Sequence, residues 1–354
     1  MNSKILVINP GSTSTKIAMY ENNAPIWEES IIHSLEELSS FASVPEQLEM
    51  RYKRVLETAK SHGETLIDIA AVAARGGAFA RMKSGAYEVN EAMIEAINNP
   101  IDQHASNLGC AIALKIASPI GVKAYIYDAV TVDEMIPIVR VTGLSDIERH
   151  GQGHNLNMRA AALKYCKENG KDYYDSTILV AHLGGGITQS LHYNGRIIDM
   201  VSDHEGSFSP ERAGMLPGFD LIRMCYSGEY SLSEMLKQVQ RKGGLISHFG
   251  TADSREIEKM IENGDEKAKL LYEAMALNVA KCLARLAVVV NGKIDCIVLT
   301  GGIAYSKLFT SMIKKRVEFL APVEIIPGEN EMQTLYEGAM RVLSGEEQAH
   351  VFEK

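Results

Sequence analysis

No Cys-x-x-Cys pair occurs in this 354-residue sequence, and its five cysteines, Cys110, Cys166, Cys225, Cys282 and Cys296, are scattered. An odd number without ligand spacing argues against a disulfide framework or a zinc site and fits the thiols of a reducing cytosol. Basic runs are scarce as well: none exceeds Lys314-Lys315-Arg316, and 36 Lys and Arg against 45 Asp and Glu leave a net charge of -9. Nucleic-acid binders carry a basic footprint, so no nucleic-acid partner is expected. Long apolar runs are missing too. Leu286–Val290 falls far short of a bilayer span, and the opening apolar run stops at Pro10-Gly11, so neither a membrane partner nor a signal peptide is expected. The expected compartment is the cytoplasm. Gly-x-Ser-x-Gly is also absent, which removes the nucleophile elbow of a serine hydrolase.

What is present is ordinary globular material, 46% hydrophobic and 23% charged. Its length exceeds the size at which one hydrophobic core stops growing, so two domains are expected. Strand-length apolar runs at 4–9, 15–20 and 24–28 open the chain, followed by a helix over 44–61 and a buried strand over 68–74. Helices near 90–98 and 105–117 precede a strand at 123–127. Strands alternating with helices define an α/β architecture. The pattern restarts with strands at 176–183, 187–193 and 196–200, helices near 219–227, 254–262 and 266–290, and a strand at 294–299. A helix over 306–319, a strand at 323–326 and a last helix over 333–343 close it. The break between the halves is expected in the polar stretch 145–157.

The 29 glycines cluster in turns, and two of those turns correspond. A shift of 173 positions lays Ile5, Leu6, Val7, Gly11, Thr15 and Tyr20 on Ile178, Leu179, Val180, Gly184, Thr188 and Tyr193. The shared turn glycine and the repeated strand–turn–strand–turn–strand order point to duplication rather than generic strand composition.

The first turn, Asn9-Pro10-Gly11-Ser12-Thr13-Ser14-Thr15-Lys16, combines a glycine with small hydroxyl residues, which offer N–H and O–H donors to a phosphate. It lacks Walker A spacing, and a strand follows it instead of the helix of a dinucleotide fingerprint. Its counterpart is His182-Leu183-Gly184-Gly185-Gly186-Ile187-Thr188-Gln189. Alone, each is also a plain hairpin turn; as a pair they can grip one polyphosphate, which implies an ATP-using phosphotransferase. Thr300-Gly301-Gly302 ends a buried strand, where open α/β sheets bind ligands and where glycines admit a base or ribose. Arg75, before Gly76-Gly77, and Arg212, in a turn-rich loop, have the planar fork that suits carboxylate and phosphoryl oxygens. Asp128 and Glu331 are carboxylates of the kind that hold Mg2+ beside a polyphosphate, although Glu331 could instead favour the start of the last helix. His104, in the stretch 100–107, and His154, in 149–157, could stabilise charge on a transferring phosphoryl group or be structural.

Together these segments resemble the acetate and butyrate kinase family, within the superfamily of acetate and sugar kinases, Hsp70 and actin, across essentially the whole chain. Pro10–Lys16, Arg75-Gly76-Gly77 and Arg149–Asn157 resemble its butyrate branch. The resemblance implies a duplicated, actin-like (ribonuclease H-like) two-domain α/β fold with mixed central sheets. It places the N-terminal domain at 1–148 plus a returning 332–354, and the C-terminal domain at 149–331. It implies a reversible ATP-dependent transfer to a short-chain carboxylate, butyrate giving butyryl phosphate, with ATP/ADP and Mg2+ as cofactors. By position, Arg75, Arg212, Asp128 and His154 are catalytic, and Arg75, His104 and Asn107 bind the acid. Asn9, Gly11, Ser12, Thr13, Ser14, Lys16, His182, Gly184, Gly185, Gly186, Thr300, Gly301 and Gly302 bind the nucleotide, and Asn9 and Glu331 serve the metal. His154 fits the family pattern only after a one-residue shift, and His104 also needs a small one. A homo-oligomer, dimeric or larger, is expected. Branched acids such as isobutyrate stay open as substrates. So do a sugar or polyol kinase using Asp128 as base, an ATPase switch and a filament-forming protein.

Overall fold

The computed structural model describes residues 4–78, 80–98, 100 and 104–353. The chain folds into two compact units: one runs to Asp133 and resumes at Asn330, and the other is Glu134–Glu329. The strands of the first unit are β1 (Ile5–Pro10), β2 (Ser14–Glu21), β3 (Ala24–Ile32), β4 (Ala71–Arg75), β5 (Ala86–Glu88) and β6 (Lys123–Tyr127). Those of the second are β7 (Thr177–Leu183), β8 (Ile187–Tyr193), β9 (Arg196–Val201), β10 (Cys296–Gly301) and β11 (Val323–Pro327); β12 (His350–Val351) belongs to the first unit again.

The first sheet has the order β12-β5-β6-β4-β1-β2-β3 and the second β11-β10-β7-β8-β9. Both contain one five-stranded core: an antiparallel meander (β1–β3 or β7–β9), then two parallel strands beside its first member. The duplication expected from the sequence is thus present as topology. In register it slips by one along the second strands: Ile5 pairs with Tyr20 and Ile178 with His192, so Thr15 and Tyr20 correspond to Ile187 and His192 rather than to Thr188 and Tyr193. It holds for the first strands and their parallel neighbours: Ile5 pairs with Ala71, and its counterpart Ile178 pairs with Cys296. Counting along the strands makes Arg75-Gly76-Gly77 the equivalent of Thr300-Gly301-Gly302, a correspondence too remote in sequence to see without the sheet.

Parallel strands buried on both faces need small or aliphatic side chains. β4 reads Ala-Val-Ala-Ala before Arg75, and the helices Leu108–Ile120 and Glu331–Ser344 pack on it. The second core is built from β7, β8 and β10 under the long helix Glu266–Ala287 and the helix Lys307–Val317.

The structure departs from the sequence expectations in several places. The polar stretch 145–157 is not the division between the units, which falls at Asp133/Glu134. Arg149 explains this: its guanidinium donates to Glu205 on two nitrogens (2.8 and 3.1 Å), to Asp199 (3.1 Å) and to the Val139 and Met200 carbonyls, fastening the stretch to β9. A 14-residue helix, Asn155–Glu168, was not expected, because Asn155, Asn157 and Arg159 occupy buried positions and erase the apolar period. β4 begins at Ala71 rather than Asp68, and the last helix begins at Glu331 rather than Gln333. The short helices Leu35–Ser39, Pro137–Arg140 and Gly244–Phe249, with β5 and β12, lacked periodic signals, whereas Leu232–Gln240 was overlooked although Leu232, Met235, Leu236 and Val239 have helical spacing behind a Ser231/Glu234 capping box. No helix among the described residues is long and apolar enough to cross a membrane.

β8 buries a polar chain: His192 Nδ1 lies 2.8 Å from the Tyr173 hydroxyl and its Nε2 2.8 Å from the Ser190 hydroxyl. Burial, with Arg159 nearby, pushes this imidazole from 6.5 down to about 3. The unfolded chain therefore binds more protons between those values. His192 should cost stability as pH falls from about 6.5 toward 3, by up to ~1.4 kcal/mol per pH unit, and nothing above that window. His192→Gln is expected to flatten the loss of urea stability between about pH 7 and about pH 5; an unaltered slope would assign the acid sensitivity elsewhere.

Candidate active site

The first loop joins β1 to β2 across Gly11-Ser12-Thr13, and its carbonyls all have donors. Ser14 O accepts from Gly11 N–H (2.7 Å) and Thr13 O from His33 N–H (2.9 Å). Arg51 donates to the oxygens of Gly11 (2.9 Å), Ser12 (3.0 Å) and Ser14 (3.1 Å). Asn9 and Lys16 form a cross-strand pair and share one face of the hairpin; Pro10 and Thr15, one step along, share the other. Ser12, Thr13 and Lys16 are exposed, whereas Asn9 and Thr15 are buried. The loop therefore presents hydroxyls outward over a fixed backbone.

Asn9 is joined to two other expected site residues. Its Nδ2 donates to Glu331 Oε2 (2.5 Å), and the other oxygen of that carboxylate lies 2.9 Å from Arg75 Nη1. Three distant segments meet there: the end of β1, the end of β4 and the first residue of the last helix. Glu331 was expected just outside that helix; as its first residue the carboxylate also lies at the positive end of the helix dipole. Behind Arg75, a Cβ on Gly77 would come within 2.7 Å of the Asn107 backbone nitrogen, so only glycine fits there. Asn107 is itself buried and its Oδ1 accepts from Ala78 N–H (2.7 Å), which fixes the Arg-Gly-Gly turn.

His104 lies next to residues 101–103, which are outside the described residues. Its Nδ1 accepts from Ser106 N–H (3.1 Å), which assigns the proton to Nε2, and Nε2 lies 3.5 Å from Ser12 Oγ. This histidine both caps a turn and reaches the first loop. Asp128 is buried at φ +41°. Its Oδ1 accepts from Gly85 N–H (2.7 Å), so it holds the entry to β5.

In the second unit, Gly184-Gly185-Gly186 joins β7 to β8, and Gly185 O accepts from Ser209 Oγ (2.6 Å) and Glu211 N–H (3.1 Å). The shift of 173 places His182 where the first unit has Asn9. His182 Nε2 lies 3.1 Å from Glu329 Oε1, and its ring stacks on His154 at 4.1 Å between centroids. His154 Nδ1 lies 2.9 Å from Thr188 Oγ1, across the strand from His182. His154 ends the irregular stretch 149–154 and stands immediately before the helix Asn155–Glu168, which takes up the rest of the expected loop. Arg212 Nε meets Asp203 (3.1 Å), and its Nη1 meets Glu211 (3.0 Å) and the Gln240 carbonyl. Both carboxylates border the loop, because a Cβ on Gly185 or Gly186 would approach Glu211 or Asp203 to 2.7 Å.

Thr300 Oγ1 donates to Gly328 O (3.3 Å), and Gly301 and Gly328 exchange backbone hydrogen bonds. Gly301 has φ +93°, and a Cβ there would press on the Leu183 backbone at 2.7 Å, so glycine is required. Gly302 faces open space at the start of the turn Gly302–Tyr305.

Within each unit the structure gathers the expected residues: Asn9, Arg75 and Glu331, with Ser12 and His104, in the first; His154, His182 and the glycine loop, bordered by Arg212, in the second. Sequence reasoning missed Arg51, Asp203, Glu211 and Glu329. Arg51 alone carried a signal, standing four residues before Val55 and eight before Ala59 on the buried face of the helix Leu48–Ser61. No cluster of three or more His, Cys, Asp and Glu suited to a metal occurs among the described residues.

Two sheets of one topology, each with a glycine hairpin at the end of its first strand, define a duplicated actin-like fold. A sequence model of the acetokinase family matches residues 141–344. Butyrate kinase 2 of Clostridium acetobutylicum is 47% identical over 352 residues, 99% of each chain. Among solved structures, Porphyromonas gingivalis acetate kinase superposes with a TM-score of 0.80 at 19% identity, covering 96% of this chain and 99% of that one. A propionate kinase from Francisella tularensis reaches 0.75 at 18% identity, covering 95% and 98%. The chain belongs to the acetokinase family.

Proposed function

We propose that this chain is an ATP-dependent short-chain carboxylate kinase that converts butyrate and ATP reversibly to butyryl phosphate and ADP. The observation that carries this reading is the identity of nearly half of all residues, over practically the full length of both chains, with a butyrate kinase. In the proposed reaction a carboxylate oxygen attacks the γ-phosphorus in line, an O–P bond forms to the acid and the bond to the ADP oxygen breaks. The carboxylate is already a nucleophile and needs no base. Catalysis then rests on positioning and on charge placed against the phosphoryl oxygens.

In this reading Arg75 and Arg212 meet the substrate carboxylate and the transferring group. Each is presented at a loop end and held by carboxylates that fix its fork. The two glycine hairpins offer N–H and O–H donors to the phosphates, Lys16 adds a charge beside Asn9, and the Thr300-Gly301-Gly302 turn leaves room for adenosine. His104 directs its Nε2 proton toward the first loop, and His154 is braced by Thr188 and the His182 ring. Asp128 is buried and its Oδ1 is taken by the Gly85 N–H.

Magnesium fits the first unit. Asn9 turns its Nδ2 to Glu331, leaving Oδ1 for a cation, and Glu331 supplies one carboxylate. Mg2+ bound with ATP brings most of its own oxygen ligands as waters and phosphates, and would neutralise charge on the phosphates. The five free thiols suit a cytoplasmic protein, and self-association as a dimer, the commonest soluble oligomer, is part of the proposal.

With hydroxylamine as trap, acyl hydroxamate is expected to accumulate only when Mg-ATP and a short aliphatic acid are both present. Its absence across acetate, butyrate, isobutyrate and valerate would overturn the reading. Arg75→Ala and Arg212→Ala should each lose about 2–4 kcal/mol of transition-state stabilisation, measured as kcat/KM for butyrate. A near wild-type value would remove that arginine from the chemistry.

A further inference from the structure

Arg51 has no solvent exposure, and its five N–H donors all end on neutral oxygens. Nε and Nη2 donate to Gln47 Oε1 (3.1 and 3.0 Å), Nη2 also to Ser12 O (3.0 Å). Nη1 is shared among Gly11 O (2.9 Å), Ser14 O (3.1 Å) and Thr15 Oγ1 (3.0 Å). Among the described residues no carboxylate forms an ion pair with it. The nearest acidic influence is Glu37, which is engaged by Arg54 (3.3 Å) and lies 3.6 Å from His33 Nδ1. Burial accordingly lowers this guanidinium to about 10. His33, whose Nε2 lies 2.9 Å from Thr15 Oγ1, is also lowered, by burial first and by Arg51 next, and so adds no charge of its own.

Buried cations are ordinarily paired, because an isolated charge inside a protein is expensive. Here the guanidinium lies directly beneath a loop whose carbonyls it draws inward. Ser12 and Thr13 are exposed, and among the described residues their N–H groups have no acceptor. Carbonyls turned in and amides turned out form an anion-binding concavity, and the missing countercharge is on its open side.

We propose that Arg51 is a positioning residue for phosphate: it holds the Gly11–Ser14 carbonyls on the inner side, and its charge is balanced by a phosphate bound over the loop. This rests on the carboxylate-kinase reading for the identity of the phosphate, ATP. Lysine cannot replace it, since a point charge with three donors cannot span Gly11, Ser12, Ser14 and Gln47 together.

Steady-state kinetics of Arg51→Lys, with Mg-ATP and butyrate varied in turn, test this, together with the rise in thermal midpoint that Mg-ATP causes. The KM for ATP is expected to rise about tenfold or more, with the KM for butyrate within about twofold of wild type and the Mg-ATP shift reduced. An ATP KM within about twofold of wild type, or equal rises in both KM values, would overturn the proposal. Should Arg51→Lys lack a cooperative unfolding transition, Gln47→Ala, which loosens the guanidinium without removing it, is read by the same criteria. Wild-type protein that is stabilised by Mg-ATP yet makes no acyl hydroxamate would sink the carboxylate-kinase reading alone, and the Mg-ATP shift of the variants would then decide on Arg51. Wild-type protein with no Mg-ATP shift would overturn both.

Discussion

The first unit depends on a single carboxylate. Glu331 accepts from Asn9 with one oxygen and pairs with Arg75 through the other, at 2.5 and 2.9 Å. Those partners end two neighbouring strands, and the carboxylate begins the helix that brings the chain back to the first sheet. Without it, a half-buried guanidinium would face the end of β4 with its Nε already lacking a hydrogen-bond partner among the described residues. The same contact therefore closes the fold and orients the arginine proposed to hold the acid. Farther along, Arg341, Tyr127 and Glu347 bond to one another and secure the tail beside β5.

Duplication gave the two units one scaffold, and the residues at equivalent positions differ in chemistry. Asn9 corresponds to His182, and Arg75 to Thr300. Both members of each pair sit at the carboxyl end of a strand, where open α/β sheets place their ligands. The first unit sets Arg75 and Lys16 around a hydroxyl-rich loop, and the second sets Arg212 beside its glycine loop. The second has a bare glycine loop and an open turn at Gly302. Its loop is also one residue shorter: Pro10 pairs with Thr15, but Leu183 with Ile187.

Much of this was legible in the sequence, because strand cores and glycine turns are local signals. The hydrophobic runs Ile5–Ile8 and Ile178–Ala181, each ending at a glycine turn, fixed the repeat, the α/β class and both loops. Arg75 and Arg212 stood out because they flank glycines. Most of what escaped had no local signature. The helix Asn155–Glu168 buries asparagines and an arginine, so its period is masked. Glu329, Asp203 and Glu211 acquire meaning only from side chains that the fold brings to them. Arg51 reads as one more charge in a charged helix until its spacing to Val55 and Ala59 is noticed.

The two loops arrive at one mechanical solution by different chemistry. A backbone that must present N–H groups to an anion has to dispose of its carbonyls, whose negative ends would repel that anion. In the first unit a buried guanidinium and the His33 amide take them; in the second the Ser209 hydroxyl and the Glu211 amide take Gly185. Holding the carbonyls in advance removes a reorganisation cost that would otherwise fall on binding. The difference between the solutions is charge. Neutral donors suffice where Arg212 stands beside the glycine loop, whereas the first loop has its cation beneath the backbone, out of solvent and with no carboxylate ion-paired to it among the described residues. In the proposed reading a charge so placed acts on the phosphate both across the loop and through the carbonyls it holds, so holding the loop and attracting the phosphate fall to one side chain.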